Sequence, residues 1–343
     1  DNDNHAGYAD GVNPTRRLLP IIALSAASAL VLAGCAGATP GGESAGDGRL
    51  QVVASTNVYG QIVEEIGGDA VDVTSIITST GQDPHSFEAT AGDQLAVSRA
   101  DLIIENGGGY DSFMESLVES SDASAHVITA AEFSHHWPED EHAEDEHSED
   151  EHAEDEHSDE EHAGHDHIVG FNEHVWYDPH TIEHVAEAIA EELSELDPES
   201  AATFEINAAA FVEQIGGLET SLGEIEASGA GAQVFVTEPV PVYLVTAAGL
   251  VNVTPEAFSE AVEEGQDVPP ATLLESLDLV ESGSVRIVIA NSQTGGAETT
   301  QVIDAAEAQS IPVLEFSETL PEGQTYISWM QQNVEALSGA LAG

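Results

Sequence analysis

The chain is 343 residues long and sets 65 acidic side chains against 5 basic ones, a formal net charge of -60, which excludes a nucleic-acid binder working through a basic surface. A hydrophobic fraction of 41% supports a packed core, and the length suits roughly two lobes of ordinary size. The single cysteine, Cys35, excludes any internal disulfide.

The first apolar run follows Arg16 and Arg17 and reads LLPIIALSAASALVLAGC, from Leu18 to Cys35. A positive flank, a short apolar stretch and small residues at its end match a secretory signal, and the run falls short of the ~20 residues a spanning helix needs. Its end, Leu32-Ala33-Gly34-Cys35, resembles a bacterial lipobox. Residues 1–34 are then a signal peptide, and lipidated Cys35 anchors the chain to the membrane through two acyl chains. Residues 35–48, which include GATPGGESAGDG, read as a flexible tether.

Leu50 to Ala54 reads as a strand, Val58 to Ile66 as a helix ended by Gly67-Gly68, Ala70 to Ile77 as a second strand and Leu102 to Glu105 as a short third one. Asp197-Pro198 reads as an N-cap and first-turn pair. Behind it, apolar residues at Phe204, Ala208, Phe211, Ile215, Leu218, Leu222 and Ile225 step by four and three, which predicts one long helix from Pro198 to about Ala227, with Gly216-Gly217 its weak point. A second set follows: strand Gln233 to Thr237, helix Ala271 to Val280, strand Val285 to Ala290, helix Thr299 to Gln309, strand Ile311 to Phe316 and a last helix from about Tyr326. Alternating strands and helices predict an α/β fold with mainly parallel sheets.

Between His135 and His167 the composition changes. His142, His147, His152, His157 and His162 recur every five residues in acidic repeats, followed by His165 and His167. Five residues turn an α-helix by about 140°, so these rings share no helical face. With few apolar residues the insert cannot offset its ordering entropy and reads as a mobile loop. Its histidines read as low-affinity metal collectors.

Four candidate ligands stand at or just after strand ends or in turns: His85 in GQDPHSFE, His174 in NEHVWYDP, Glu238 in VFVTEPVPVY and Glu318 in VLEFSETLPEG. Side chains beyond strand carboxyl ends converge in open α/β sheets. Two imidazoles and two carboxylates suit Zn²⁺ and, through their oxygens, Mn²⁺.

DPHSFE, NGGGYDSF from Asn106, HVWYDP, the long helix and SETLPEGQTYISWM together resemble the zinc and manganese solute-binding proteins of bacterial ABC importers, over nearly all of Arg49 to Leu341 apart from the insert. The resemblance implies an N-terminal α/β lobe (49–197, carrying the insert 135–167), one rigid linking helix (198–228) and a C-terminal α/β lobe (229–343). It implies metal held between the lobes as transported cargo, an ABC permease as partner, an extracytoplasmic monomer and no catalytic turnover. His85 and His174 match the family's two N-lobe imidazoles. Glu238 falls where zinc members carry a third His and manganese members Glu. Glu318 falls where Asp is usual, with Glu315 and Asn291 as substitutes. Zinc is the expected cargo and manganese the alternative.

Other motifs carry less. His180 and His184 lie four apart with Glu183 between them, but without an HExxH pattern they read as solvated helix-surface residues. Gly107-Gly108-Gly109 lacks the GK[ST] of a P-loop and reads as a turn. A zinc hydrolase with Glu238 or Glu318 as general base would need an open coordination position. A siderophore binder would need cations, and after Cys35 the chain offers only Arg49, Arg99 and Arg286.

Overall fold

The computed structural model describes residues 48–121, 124–138, 168 and 170–342. Cys35, and with it the lipobox, and the insert histidines His142, His147, His152, His157, His162, His165 and His167 lie outside the described residues. Among the described residues no helix is long and apolar enough to cross a membrane.

The first lobe alternates β1 (Leu50–Thr56), α1 (Asn57–Gly67), β2 (Val71–Ile77), α2 (Ala91–Val97), β3 (Leu102–Glu105), α3 (Ser112–Ser120) and β4 (His126–Thr129). Then come α4 (Pro179–Leu196) and α5 (Ala201–Gly229). The second lobe runs β5 (Gln233–Val236), α6 (Val242–Ala247), β6 (Val251–Asn252), α7 (Glu256–Glu263), α8 (Pro270–Glu281), β7 (Val285–Asn291), α9 (Ala297–Ala308), β8 (Val313–Phe316) and α10 (Tyr326–Ala342). Each lobe holds a four-stranded sheet, ordered β2-β1-β3-β4 and β6-β5-β7-β8. Every pairing is parallel. The architecture is therefore two parallel-sheet α/β lobes joined by a long helix. The short strands β4 and β6 and the helices α6 and α7 escape the sequence patterning, because two to eight residues are too few to display a period.

Helix α5 spans 29 residues, and its buried side chains are Phe204, Ala208, Phe211, Ile215, Leu218, Leu222 and Ile225, the whole of the predicted stripe. This stripe packs on α4 and α1 on one side and on α10 and α6 on the other. The helix runs unbroken through Gly216-Gly217, where a Cβ at either position would meet nothing within 4 Å. It begins three residues later than the Asp197-Pro198 pair suggests. Asp197 instead holds the turn between the helices, its carboxylate accepting from the Glu199 N–H at 3.2 Å while its own N–H bonds Leu193 O.

The lobes are laced together by hydrogen bonds. Asn57, opening α1, exchanges two with the backbone of Leu320, at 2.8 and 2.9 Å. The Tyr326 N–H donates to Gln61 Oε1 at 2.7 Å, and its hydroxyl donates to Trp176 O at 2.8 Å. Tyr177 Oη donates to Ser317 O at 2.7 Å.

Candidate metal centre

Both sheets reverse their strand order between the first and third strands of the lobe, and the carboxyl ends at these switch points are where a crevice forms. Each candidate ligand is held there by a separate local device. His85 follows β2 in a turn built by Asp83, whose carboxylate accepts from the His85 N–H at 3.0 Å and from Ser86 Oγ at 2.7 Å. Asn106, just after β3, donates to Glu173 O at 2.9 Å and so fixes the segment that carries His174. The next three glycines all have positive φ, of 73°, 70° and 94°. A Cβ on Gly107 would lie 2.3 Å from Thr129 Cγ2, so this turn admits no larger residue there. Asp111 closes the turn by accepting from the N–H groups of Asn106 and Gly107 at 2.7 and 2.8 Å.

His174 is almost wholly buried, and its Nδ1 stands 2.7 Å from Asn172 Oδ1. The Asn172 amide nitrogen donates to Pro239 O at 3.0 Å, which leaves the amide oxygen facing the ring. An amide oxygen only accepts, so Nδ1 carries the proton and Nε2 the lone pair a metal needs. Tyr110 lies against both imidazoles, its ring centroid 5.0 Å from that of His85 and 5.7 Å from that of His174.

In the second lobe, Glu238 directly follows Thr237, whose N–H closes the β5 ladder onto Ile289 O at 2.9 Å. Glu318 follows β8 in a loop pinned by Gln293, whose Oε1 accepts from the N–H groups of Glu318 and Thr319 at 2.8 and 2.9 Å. Asn291, ending β7, donates through one nitrogen to Glu238 Oε2 at 2.9 Å and to Glu318 Oε1 at 2.6 Å. Thr294 Oγ1 donates to the other Glu238 oxygen, and Tyr110 Oη to the other Glu318 oxygen at 3.3 Å. Asn291 thus bridges the two carboxylates. Glu315, the other proposed substitute, is exposed on β8.

The imidazoles have nearer acidic partners than these. One ligand atom from each of His85, Glu173, His174 and Glu263 lies within 4.8 Å of all the others. Glu263, at the end of α7, places Oε1 3.9 Å from His174 Nε2. Among the described residues, then, the two predicted imidazoles come together with Glu173 and Glu263, while the two predicted carboxylates meet each other through Asn291. Glu173 adjoins a predicted ligand in sequence. Glu263 ends a short helix far from any strand end in sequence, which gave no signal.

Burial and mutual repulsion govern the protonation of these acids. Glu318 is pushed up to about 7 by burial and by Glu238 and Asp83, against the pull of the Asn291 hydrogen bond. Glu238 is raised by burial, partly held back by Thr294 and Asn291. Glu263 is raised by burial and then by the charges of Glu173, Glu238 and Glu318. Buried Glu173, Glu238 and Glu318, with half-buried Glu263, gather like charges whose repulsion a divalent cation relieves. Among the described residues no arginine stands at these strand ends to offset it. Arg49 precedes β1, Arg99 precedes β3 and Arg286 sits at the start of β7, all at the opposite ends of the strands. That placement removes the cations a siderophore site would need.

Comparison with known proteins agrees with this architecture. The manganese-binding lipoprotein MntA of Halalkalibacterium halodurans is 28% identical over 191 residues, 56% of this chain and 54% of that protein. The manganese ABC transporter substrate-binding lipoprotein scaA of Streptococcus gordonii is 24% identical over 86% of this chain and 89% of its own. The zinc-binding lipoprotein AdcA of Streptococcus pneumoniae is 26% identical over 92% of this chain and 59% of its own. The chain therefore spans little more than half the length of MntA and of AdcA. Among solved structures, the periplasmic zinc binding protein TroA from Treponema pallidum matches with a TM-score of 0.65 at 21% identity, over 86% of this chain and 99% of that one. The family model of ZnuA, the periplasmic component A of the zinc-uptake complex, matches residues 52–340. With that match running through both lobes, the chain belongs to the ZnuA family.

Proposed function

We propose that this chain captures a divalent transition metal between its lobes and delivers it to an ABC permease as a solute-binding protein without catalytic turnover. The observation that carries the reading is the convergence of His85, His174, Glu173 and Glu263 within 4.8 Å, with Glu238 and Glu318 bridged by Asn291 on the second-lobe side of the cleft. In this reading His85 and His174 supply the nitrogen ligands, and Glu238 and Glu318 turn from Asn291 to the metal. Glu263 adds charge beside His174. Zinc is the favoured cargo, because general affinity for N/O sites places it well above manganese. Manganese is the second reading, favoured by the excess of carboxylate oxygen.

The names of MntA, scaA and AdcA, all lipoproteins, support an extracytoplasmic protein anchored through Cys35. We assign residues 49–197 and 229–343 to the two lobes and 198–228 to the linker, and read the protein as a monomer. The insert histidines act as weak collectors that raise local metal concentration, so deleting residues 138–166 lowers total metal stoichiometry and spares the tight site.

Calorimetric titration of metal-free protein with Zn²⁺ tests the proposal. One tight equivalent is expected, lost in His85→Ala and in His174→Ala. Wild-type affinity in either variant overturns the assignment. Competition between Zn²⁺ and Mn²⁺ in the same protein decides the cargo.

A further inference from the structure

The described residues hold seven histidines, His85, His126, His135, His136, His174, His180 and His184. Three of them gather at a place the cleft does not use. His180 stands in the first turn of α4 and His184 one turn later, so they share a face of the helix. Their rings meet edge to face with centroids 4.8 Å apart. His135, the first residue of the insert, brings its ring to 4.5 Å from that of His180. From across the helix pair, Glu219 of α5 reaches the same spot. A nitrogen of His180 and one oxygen each of Glu183 and Glu219 lie within 4.8 Å of one another. Glu187 Oε2 stands 3.3 Å from His184 Nδ1. A carboxylate facing Nδ1 holds the proton there and leaves the Nε2 lone pair outward, the usual arrangement behind a metal-ligating histidine.

Ordinary surface pairing accounts for one imidazole beside one carboxylate. It does not account for three imidazoles in ring contact, which have no attraction for one another as cations. Donors in a tetrahedral zinc shell sit about 3.4 Å apart, given Zn–N bonds of about 2.0–2.1 Å. The donors of His180, Glu183 and Glu219, within 4.8 Å of one another, close to that spacing by about 1 Å of side-chain movement, and His135 and His184 join them by turning their rings. Glu219 is exposed and the His184 side chain is 40% exposed, so both are free to make it.

We propose that His135, His180, His184 and Glu219 form a second divalent-metal site on the outer face of the α4–α5 pair, selective for zinc-like ions. Glu183 lies beside it as an alternative oxygen donor. Three imidazoles to one carboxylate make it richer in nitrogen than the cleft, so it discriminates more strongly against Mn²⁺. Its solvent-facing ligands make it the weaker of the two.

The test uses the full chain with the seven insert histidines replaced by glutamine, titrated with Zn²⁺ and separately with Mn²⁺ by calorimetry and equilibrium dialysis. Two zinc equivalents of unequal affinity are expected, against one of manganese. His180→Ala with His184→Ala removes only the weaker zinc equivalent, and His174→Ala removes only the tighter one, so failure of the cleft assignment and failure of this one read differently. Glu219→Gln, at an exposed position, weakens the second equivalent without touching α4, and serves if the double variant is misfolded. A single zinc equivalent in the parent overturns the proposal. So does a second equivalent that keeps its affinity in both the double variant and Glu219→Gln.

Discussion

Asn172 Oδ1 accepts from Nδ1 of His174 at 2.7 Å, and the same side chain links that imidazole to the second lobe. The amide nitrogen of the same side chain bonds Pro239 O, next to Glu238, and Tyr243 Oη donates to the Asn172 carbonyl at 2.7 Å. Asn172 therefore sets the tautomer of His174 and ties it to the wall that carries Glu238. Asn172→Ala is expected to weaken zinc binding by about 10- to 100-fold, the usual effect of losing a group that orients a ligand. Zinc titration of the variant measures it; a change below twofold would mean that His174 is oriented by its burial alone.

With Glu238 in the proposed ligand set, Glu238→His exchanges oxygen for nitrogen and should widen the preference for Zn²⁺ over Mn²⁺. Tyr243 and Pro239 are the neighbours that must leave room for the ring. Dissociation constants for both ions in the native chain and the variant check this. An unmoved ratio would remove Glu238 from the ligand set.

Glu263→Gln deletes one of four repelling acids. Because Glu263 is raised by burial and by the charges of Glu173, Glu238 and Glu318, the metal-free protein should melt at a higher temperature in the variant. The further rise on adding zinc should shrink, because less negative charge is left for the ion to neutralise. Calorimetric melting with and without zinc reads both effects. A metal-free melting temperature that stays the same or falls would contradict the repulsion.

Glu105 lies at the end of β3, buried and away from the cleft ligands. Burial and Asp111 push it from an ordinary 4.5 up to about 7, against a hydrogen bond from Thr129. The folded chain thus holds this proton more tightly than the unfolded one. The stability it contributes is full below pH 4.5 and is lost as pH rises through 7. Glutamine mimics the protonated acid and still accepts from Thr129. Glu105→Gln should therefore change stability little at pH 5 and raise it at pH 8 by up to about 3 kcal/mol. Urea denaturation at both values tests the sign, and a loss of stability at pH 8 would refute it.

The legible part of this molecule was the part with a period. Phe204 to Ile225 repeat by three and four, and that repeat is the buried face of α5. The residues after β5 and β8 stood out because strand ends are where crevices form. Glu263 was invisible for the opposite reason, since α7 has eight residues and enters the cleft by tertiary placement alone. The meeting of His135 with His180 was hidden too, because it joins segments 45 positions apart with no shared pattern. Asp197 misled because the same residue types serve a turn between helices as serve a helix start.

Hydrogen bonds between Asn57 and Leu320, Gln61 and Tyr326, and Tyr177 and Ser317 tie the lobes together, joined beside the site by those of Asn172 with Pro239 and Tyr243, and α5 with its continuous apolar stripe backs the same assembly. Stitches at so many places act as the binding of a book. Both covers share it, so a wide swing of the lobes would have to break several hydrogen bonds at once. In the proposed function, metal exchange is then cheapest through small excursions of the loop of His85 and the tip of α7. The permease of the proposed function would then need to pull on a page, not break the binding.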